Sequence, residues 1–210
     1  MSEIILKGRK VLLIDYYFSS LVIDTLCKQA VEKNATVACF YFDFATQEEQ
    51  SAVTILGSVL KQIVGGLNEI PQPIVKTFRE RGRVIGGQRL ALAEIVELLQ
   101  HISSSQRTFI CIDALDEYPA RQRAKLLGSL NLILQKSLGA RIFLTGRPHI
   151  RHEVELHLTG KASTKSIIPT KDDIVIFLQA KLREDTIPDA MDGSLKRDII
   201  RIIPETLSEM

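Results

Sequence analysis

The chain has 210 residues, of which 45% are hydrophobic and 25% charged, so it contains enough apolar material for one sizeable core. Its 27 basic and 25 acidic side chains leave a net charge of only +2. No global field therefore favours a polyanion, and we predict neither a nucleic-acid partner nor a membrane partner.

A short apolar run, Val11–Ile14, follows basic residues near the N-terminus and is expected to form a buried strand. Asp15 ends this run, and no small-residue cleavage site follows, so the pattern predicts neither a signal peptide nor a membrane span. Cys27, Cys39 and Cys111 lie far apart in apolar runs. Such spacing is typical of reduced core cysteines and not of a disulfide or zinc framework, so we expect a cytoplasmic protein.

Strand-like and helix-like patterns then alternate along the chain. The predicted elements up to residue 145 are a helix over 19–33, a strand over 36–44 ending near Asp43, helices over 48–64, 74–81 and 89–104, a strand over 108–113, a helix over 120–136 and a strand over 140–145. This alternation predicts βαβ units. We expect an α/β fold of three layers, with a parallel sheet between flanking helices.

The pattern weakens after Ile150. An edge strand is expected over 165–169, followed by a helix over 172–184 that opens with acidic residues and a helix over 194–203. We therefore predict an α/β core over residues 1–160 and an incomplete, small helical subdomain over residues 161–210.

The most informative motif is the strand 108–113 with the residues that follow it, Ala-Leu-Asp116-Glu117. In an open α/β sheet the ligand crevice lies beyond the carboxyl ends of the strands, where these acids would project. Asp113 is the candidate ligand of a magnesium ion, and Asp116 and Glu117 are candidates for activating the attacking water. The alternative is structural, because acidic residues also cap the start of a following helix.

A second motif places Thr145 and Arg147 at the end of the neighbouring strand. Pro148 favours an extended backbone at Arg147, which would let its side chain enter the crevice. We predict that Thr145 and Arg147 contact the cofactor, since a planar guanidinium suits a terminal phosphate. The equally weighted alternative is that Arg147 pairs with a carboxylate of the adjacent strand end.

Three segments together, residues 40–44, 109–117 and 142–149, resemble the NACHT-type NTPase module of fungal signalling proteins, also described as the nephrocystin-type N-terminal domain. The resemblance covers about residues 19–210. It implies a STAND-class switch with a P-loop NTPase fold that binds ATP or GTP with Mg²⁺. It also implies that Asp113 is the magnesium aspartate of Walker B, that Asp116 and Glu117 are the acidic pair after it, and that Arg147 is the sensor arginine.

The phosphate-binding loop of that family, G-x-x-x-x-G-K-[ST], is missing from the sequence. Alignment on the helix that starts at Ser19 and Ser20 places its lysine near Asp15, its glycine near Ile14 and its Ser/Thr near Tyr16. Asp15 would turn an attraction of about 4 kcal/mol, at ~4 Å and an effective dielectric of ~20, into a similar repulsion. We expect no tight ATP binding, although Ser19 and Ser20 remain a weak anion site at a helix N-terminus.

Several interpretations stay open at this point. The first 18 residues could be a rearranged or misassigned stretch fused to a family fragment, or the chain could be a degenerate copy that has lost hydrolysis, and the end at Met210 favours a truncated reading frame. One alternative function is a nucleotide-independent interaction module that self-associates or docks on full-length relatives. A less favoured one is a metal-dependent phosphoesterase that uses Asp43, Asp113, Asp116 and Glu117.

Overall fold

The computed structural model describes residues 11–14, 19–42, 50–82, 89–165, 170–184 and 192–208. The contacts divide the chain into two compact units, Met1–Ser166 and Ile167–Met210. The first unit holds the sheet and its flanking helices, and the second holds two helices that pack against each other. Among the described helices, none combines the length and the hydrophobicity that crossing a bilayer requires.

The first unit is built on a sheet of five parallel strands in the order β2-β3-β4-β1-β5. The strands are β1 Val11–Ile14, β2 Thr36–Tyr41, β3 Thr108–Asp113, β4 Ala140–Thr145 and β5 Ala162–Lys165. The predicted parallel sheet is confirmed. The edge strand lies earlier than predicted, because Gly160 turns the chain at φ +72° and the strand begins two residues later.

Eight helices are described. They are α1 Ser19–Lys33, α2 Ala52–Gly65, α3 Gln72–Gly82, α4 Leu92–Ser105, α5 Ala120–Lys136, α6 Arg151–His157, α7 Lys171–Glu184 and α8 Gly193–Ser208. The predicted bounds of α1 and α5 agree with the structure. The last helix is longer than predicted because it continues past Pro204.

The two faces of the sheet are covered differently. The main core lies between the sheet and α2, α4 and α5, and it includes the even-numbered residues Ile110, Ile112 and Leu144. Side chains alternate between faces along a strand, so the odd-numbered Cys111 belongs to the other face, where α1 contacts β2 and β3. The expectation of core cysteines holds for Cys111, which is buried, and is wrong for Cys27, which is exposed on α1.

The amino ends of β3 and β4 are joined at Gly139. The Gly139 N–H donates to the Ser103 carbonyl at 2.9 Å, and the Gly139 carbonyl accepts from the Thr108 N–H at 3.0 Å. A Cβ on Gly139 would lie 2.4 Å from the Gln106 oxygen and 2.5 Å from the Ser103 oxygen. Only glycine fits this close approach of backbone to backbone, which ties the end of α4 to both strands.

Candidate functional site

The acidic motif and the arginine motif meet at the carboxyl edge of the sheet. β3 ends at Asp113 and β4 ends at Thr145, and the preceding residues, Ile112 and Leu144, are partners in the sheet. The buried Thr145 hydroxyl donates to Asp113 Oδ1 at 2.5 Å and accepts from the Ala114 N–H at 2.9 Å. Thr145 therefore fixes the orientation of the Asp113 carboxylate, whose residue is half-buried.

The chain leaves β3 through a left-handed residue. Ala114 has φ 55° and ψ 43°, a conformation that costs a residue with a side chain about 1–2 kcal/mol. It leads into a short 3₁₀ turn, Leu115–Glu117, in which the Glu117 N–H donates to the Ala114 carbonyl at 2.9 Å. Leu115 is fully buried in the core. The turn therefore holds the next two acids, Asp116 and Glu117, just beyond the end of the strand.

Asp116 is paired with Arg147. The side chain of Asp116 is 3% exposed, and its Oδ2 lies 3.4 Å from Arg147 Nε. Its Oδ1 accepts from the Arg147 backbone N–H at 3.2 Å. A Cβ on Gly146 would lie 3.3 Å from that oxygen and 2.6 Å from Ile150 Cδ1, so the chain passes close to Asp116 here. The structure thus shows the ion pair that the sequence left as an alternative, while Arg147 stays 67% exposed.

Arg123 on α5 holds the acidic turn through its backbone carbonyl oxygens, a role that the sequence pattern did not predict. Its Nη1 donates to the carbonyl oxygens of Tyr118 at 2.9 Å, Asp116 at 3.2 Å and Leu115 at 3.4 Å. Its Nε donates to Glu153 Oε2 at 2.7 Å, and its side chain is 8% exposed. A signal was present in the sequence, because Arg123 lies at helical spacing from the buried leucines of α5.

An open groove of about 610 Å³ borders this arrangement. It is lined by Asp116, Glu117, Tyr118, Pro119, Ala120, Arg123, Arg147 and His149. Within the described part of the chain, no hydrogen bond or ion pair engages the Glu117 carboxylate. Tyr118 stacks on Phe42 with ring centroids 4.7 Å apart, and no described residue hydrogen-bonds with its buried hydroxyl, whose pKa is raised by burial. The groove has the volume of a small-ligand site and is lined by charges of both signs.

Ser19 and Ser20 form the start of α1, as predicted, and Ser20 is exposed. Ile14 is the last residue of β1 and pairs with both Thr145 and Lys165, so the position aligned with the loop glycine lies in the sheet. Asp15 and Tyr16, aligned with the loop lysine and Ser/Thr, fall outside the described residues.

The predicted phosphoesterase site depends on Asp43, which also lies outside the described residues. Among the residues that are described, no group of three or more His, Cys, Asp or Glu side chains is placed to hold a metal ion. The roles of Asp113, Asp116, Glu117, Thr145 and Arg147 in binding or catalysis stay predictions.

The profile of one family, described as nephrocystin 3, N-terminal, matches residues 17–147. The chain belongs to this nephrocystin-type family. The match confirms the predicted NACHT/nephrocystin-type resemblance, and it includes Asp113, Asp116, Glu117, Thr145 and Arg147. It begins after Asp15 and Tyr16, the positions aligned with the missing phosphate loop. No curated protein sequence matches the chain.

Solved structures resemble the nephrocystin-type chain in fold. The ORC1 protein of Aeropyrum pernix, solved with DNA, is 16% identical with a TM-score of 0.56, covering 96% of this chain and 49% of that one. A Walker-type ATPase of Pyrococcus abyssi is 15% identical with a TM-score of 0.49, covering 96% of this chain and 61% of that one. The ORC1 likeness supports the predicted P-loop NTPase-like α/β fold. The chain spans about half the length of ORC1.

Proposed function

We propose that this nephrocystin-type domain is a cytoplasmic nucleotide-binding switch module whose affinity and hydrolysis are impaired by the missing lysine loop. ATP or GTP with Mg²⁺ would bind at the carboxyl edge of β3 and β4. The observation that carries the proposal is the Asp113 carboxylate at the end of β3, oriented by the Thr145 hydroxyl at 2.5 Å. Family membership supports the same interpretation.

The residues at this edge fit a magnesium ion that is shared with a nucleotide. Mg²⁺ prefers oxygen ligands and is usually held by one or two carboxylates together with phosphate oxygens and water. Asp113 offers one such carboxylate, and its Oδ1 is already held by Thr145. A bound ion would offset the negative charge of the phosphates. The protein contributes the Asp113 carboxylate, which the Thr145 hydroxyl holds in position.

The other predicted residues have separate tasks in this proposal. The Glu117 carboxylate borders the groove and has no hydrogen bond or ion pair with the described residues. It is therefore better placed than the buried Asp116 to accept a proton from water. Asp116 positions Arg147, whose exposed guanidinium would contact a terminal phosphate. The N–H groups at Ser19 and Ser20 would be the remaining backbone contact to phosphate at the β1 side.

The test is a titration of the full chain with a fluorescent ATP analogue, with and without Mg²⁺. We expect weak, magnesium-dependent binding that Asp113→Ala lowers by about tenfold or more, the equivalent of ~1.4 kcal/mol. Asp24→Ala is the matched control, because Asp24 is an exposed carboxylate on α1 paired only with Lys28 in the described structure. Equal binding by wild type and Asp113→Ala, or no binding by the wild type, would contradict the proposal.

A second candidate, nucleotide-independent association with another copy of the chain, is favoured by apolar side chains on the helices of the second unit. Ile176 and Phe177 of α7 are 65% and 60% exposed, and Leu195 and Ile202 of α8 are each 47% exposed. Large exposed apolar side chains are typical of interaction surfaces where they form a contiguous patch.

Sedimentation analysis distinguishes this second candidate from the first. If it is correct, the chain forms dimers with or without Mg-ATP, and Phe177→Asp abolishes them. Leu138→Asp, which changes an 83% exposed leucine of the first unit, leaves the dimers intact. A monomer at every concentration tested, or assembly that requires nucleotide, would exclude the second candidate.

A further inference from the structure

Two cysteines lie directly opposite each other on neighbouring strands. Cys39 of β2 and Cys111 of β3 are partners in the parallel register. Neighbouring strands are about 4.8 Å apart, which falls within the ~4.4–6.8 Å range of Cα separations that disulfides span. Because directly paired residues project from the same face of a sheet, both sulfur atoms lie on the side where α1 contacts these strands.

The strand geometry favours a Cys39–Cys111 disulfide that is easily reduced again. Paired residues of parallel strands have nearly parallel Cα–Cβ bonds, so their Cβ atoms are separated by about the strand spacing of ~4.8 Å. Relaxed disulfides prefer Cβ separations of about 3.5–4.5 Å. Closing Cys39 to Cys111 therefore draws the strands slightly together. Disulfides formed under such tension are the more easily reduced and the more often regulatory ones.

The three thiols differ in access and in hydrogen bonding. Cys111 is buried, Cys39 is half-buried and Cys27 is exposed on α1. A hydrogen bond from the Cys111 thiol lowers the pKa of Cys39, against the opposing effect of burial. Burial and the neighbouring Cys39 raise the pKa of Cys27. Of the three, Cys39 alone combines partial exposure, a stabilised thiolate and a second sulfur as its register partner.

We propose that Cys39 and Cys111 form a reversible oxidation site for hydroperoxides. The Cys39 sulfur attacks the O–O bond of the hydroperoxide, which leaves Cys39 as a sulfenic acid and releases water or an alcohol. The Cys111 sulfur then displaces the sulfenic oxygen as a second water, and the Cys39–Cys111 disulfide forms. The two thiols lose two electrons in total, and the O–O bond takes them up.

The experiment exposes the folded full chain to hydrogen peroxide, blocks remaining thiols by alkylation and maps the peptides without reduction. We expect loss of two of the three thiols, a peptide pair linked through Cys39 and Cys111, and alkylated Cys27. A thiol reductant should restore all three. The same treatment in concentrated urea is the control, because the unfolded chain should give mixed pairings.

Two variants are used so that the test still works if one of them fails to fold. Cys27→Ser should still lose two thiols and form the same linked pair, whereas Cys39→Ser should form no disulfide between its two remaining cysteines. Cys27→Ser is a mild change, since Cys27 is exposed. A Cys27–Cys39 link, oxidation of Cys39 to the sulfinic acid with Cys111 still a thiol, or three unchanged thiols would each overturn the proposal.

Discussion

Two parts of the same sheet edge contrast sharply in how they are built. At the ends of β3 and β4, hydrogen bonds of Thr145 and Arg123 hold the acidic turn. At the end of β1, Ile14 pairs into the sheet, and the chain continues to α1 through Asp-Tyr-Tyr-Phe, a connection that contains no glycine. The acidic turn is held by side-chain hydrogen bonds, while the sequence G-x-x-x-x-G-K-[ST] of a phosphate-binding loop is missing.

Under the proposed function, the contrast separates residues that the fold needs from residues that only a ligand needs. Asp113, Thr145 and Arg123 satisfy buried polar groups, so losing them would cost stability. The glycines and lysine of a phosphate loop serve the ligand, since glycine contributes no packing and lysine stays solvated. Under the proposed function, loss of the loop therefore leaves the acidic turn intact.

The largest expected effect comes from restoring the loop chemistry. The combined change Ile14→Gly, Asp15→Lys and Tyr16→Thr should raise affinity for Mg-ATP by about a thousandfold, because repulsion of phosphate becomes attraction worth several kcal/mol. Isothermal titration calorimetry measures the gain, and circular dichroism checks that the strand survives. Asp24→Lys is the charge-matched control on α1. Unchanged affinity in a folded triple variant would show that phosphates do not bind at the end of β1.

Arg123→Ala should cause the largest loss of stability. The variant leaves Glu153 and three backbone carbonyl oxygens without the contacts that Arg123 makes to them. Removing one partner of a buried ion pair in this way costs about 3–5 kcal/mol. Urea denaturation gives the free energy of unfolding. The neighbouring, exposed Arg121 is the control, and Arg121→Ala should stay within about 0.5 kcal/mol of the wild type. Similar values for both variants would mean that the turn is not held by Arg123.

Thr145→Val tests the bond that orients Asp113 while keeping the shape of the side chain. It leaves the Ala114 N–H and Asp113 Oδ1 without their partner, which should lower the free energy of unfolding by about 1–3 kcal/mol. Thermal unfolding measures the change. Thr159→Val is the control, because the exposed Thr159 hydroxyl bonds only helix carbonyls in the described structure. An equally small effect at both positions would show that the Thr145 hydroxyl does not stabilise the acidic turn.

Arg147→Ala should have the smallest effect on stability, at about 0–1 kcal/mol. Its guanidinium is 67% exposed, and the backbone N–H that Asp116 accepts remains in the variant. Arg151→Ala, which removes an exposed pair with Glu155, is the comparison. A loss of several kcal/mol at Arg147 alone would show that the ion pair is a structural necessity and would weaken its proposed contact with phosphate.

The regular elements could be predicted because their patterns are strong. The four apolar residues of β1 and the helical spacing of α5 set bounds that the structure reproduces. Parallel pairing followed from strands that alternate with helices, and neighbouring strand ends then had to bring Asp113 close to Thr145.

The polar contacts at the edge could not be predicted, since they depend on the three-dimensional turn. Nothing in the sequence indicates that Ala114 adopts a left-handed conformation, which glycine more often takes. That turn places three carbonyl oxygens within reach of Arg123. Thr145 was expected to contact a cofactor, and only the structure reveals that its hydroxyl is already used by Asp113 and Ala114.

Gly139 has a consequence for the opposite end of the sheet. By tying the starts of β3 and β4 to the end of α4, it fixes the register of the two strands, and a slip of one residue would turn every side chain to the other face. The direction in which the Asp113 side chain projects therefore depends on contacts about 17 Å away, five residues earlier on the same strand. A bulkier residue at Gly139 would disturb the register of β3 and so change the orientation of the Asp113 carboxylate, although the two residues are not in contact.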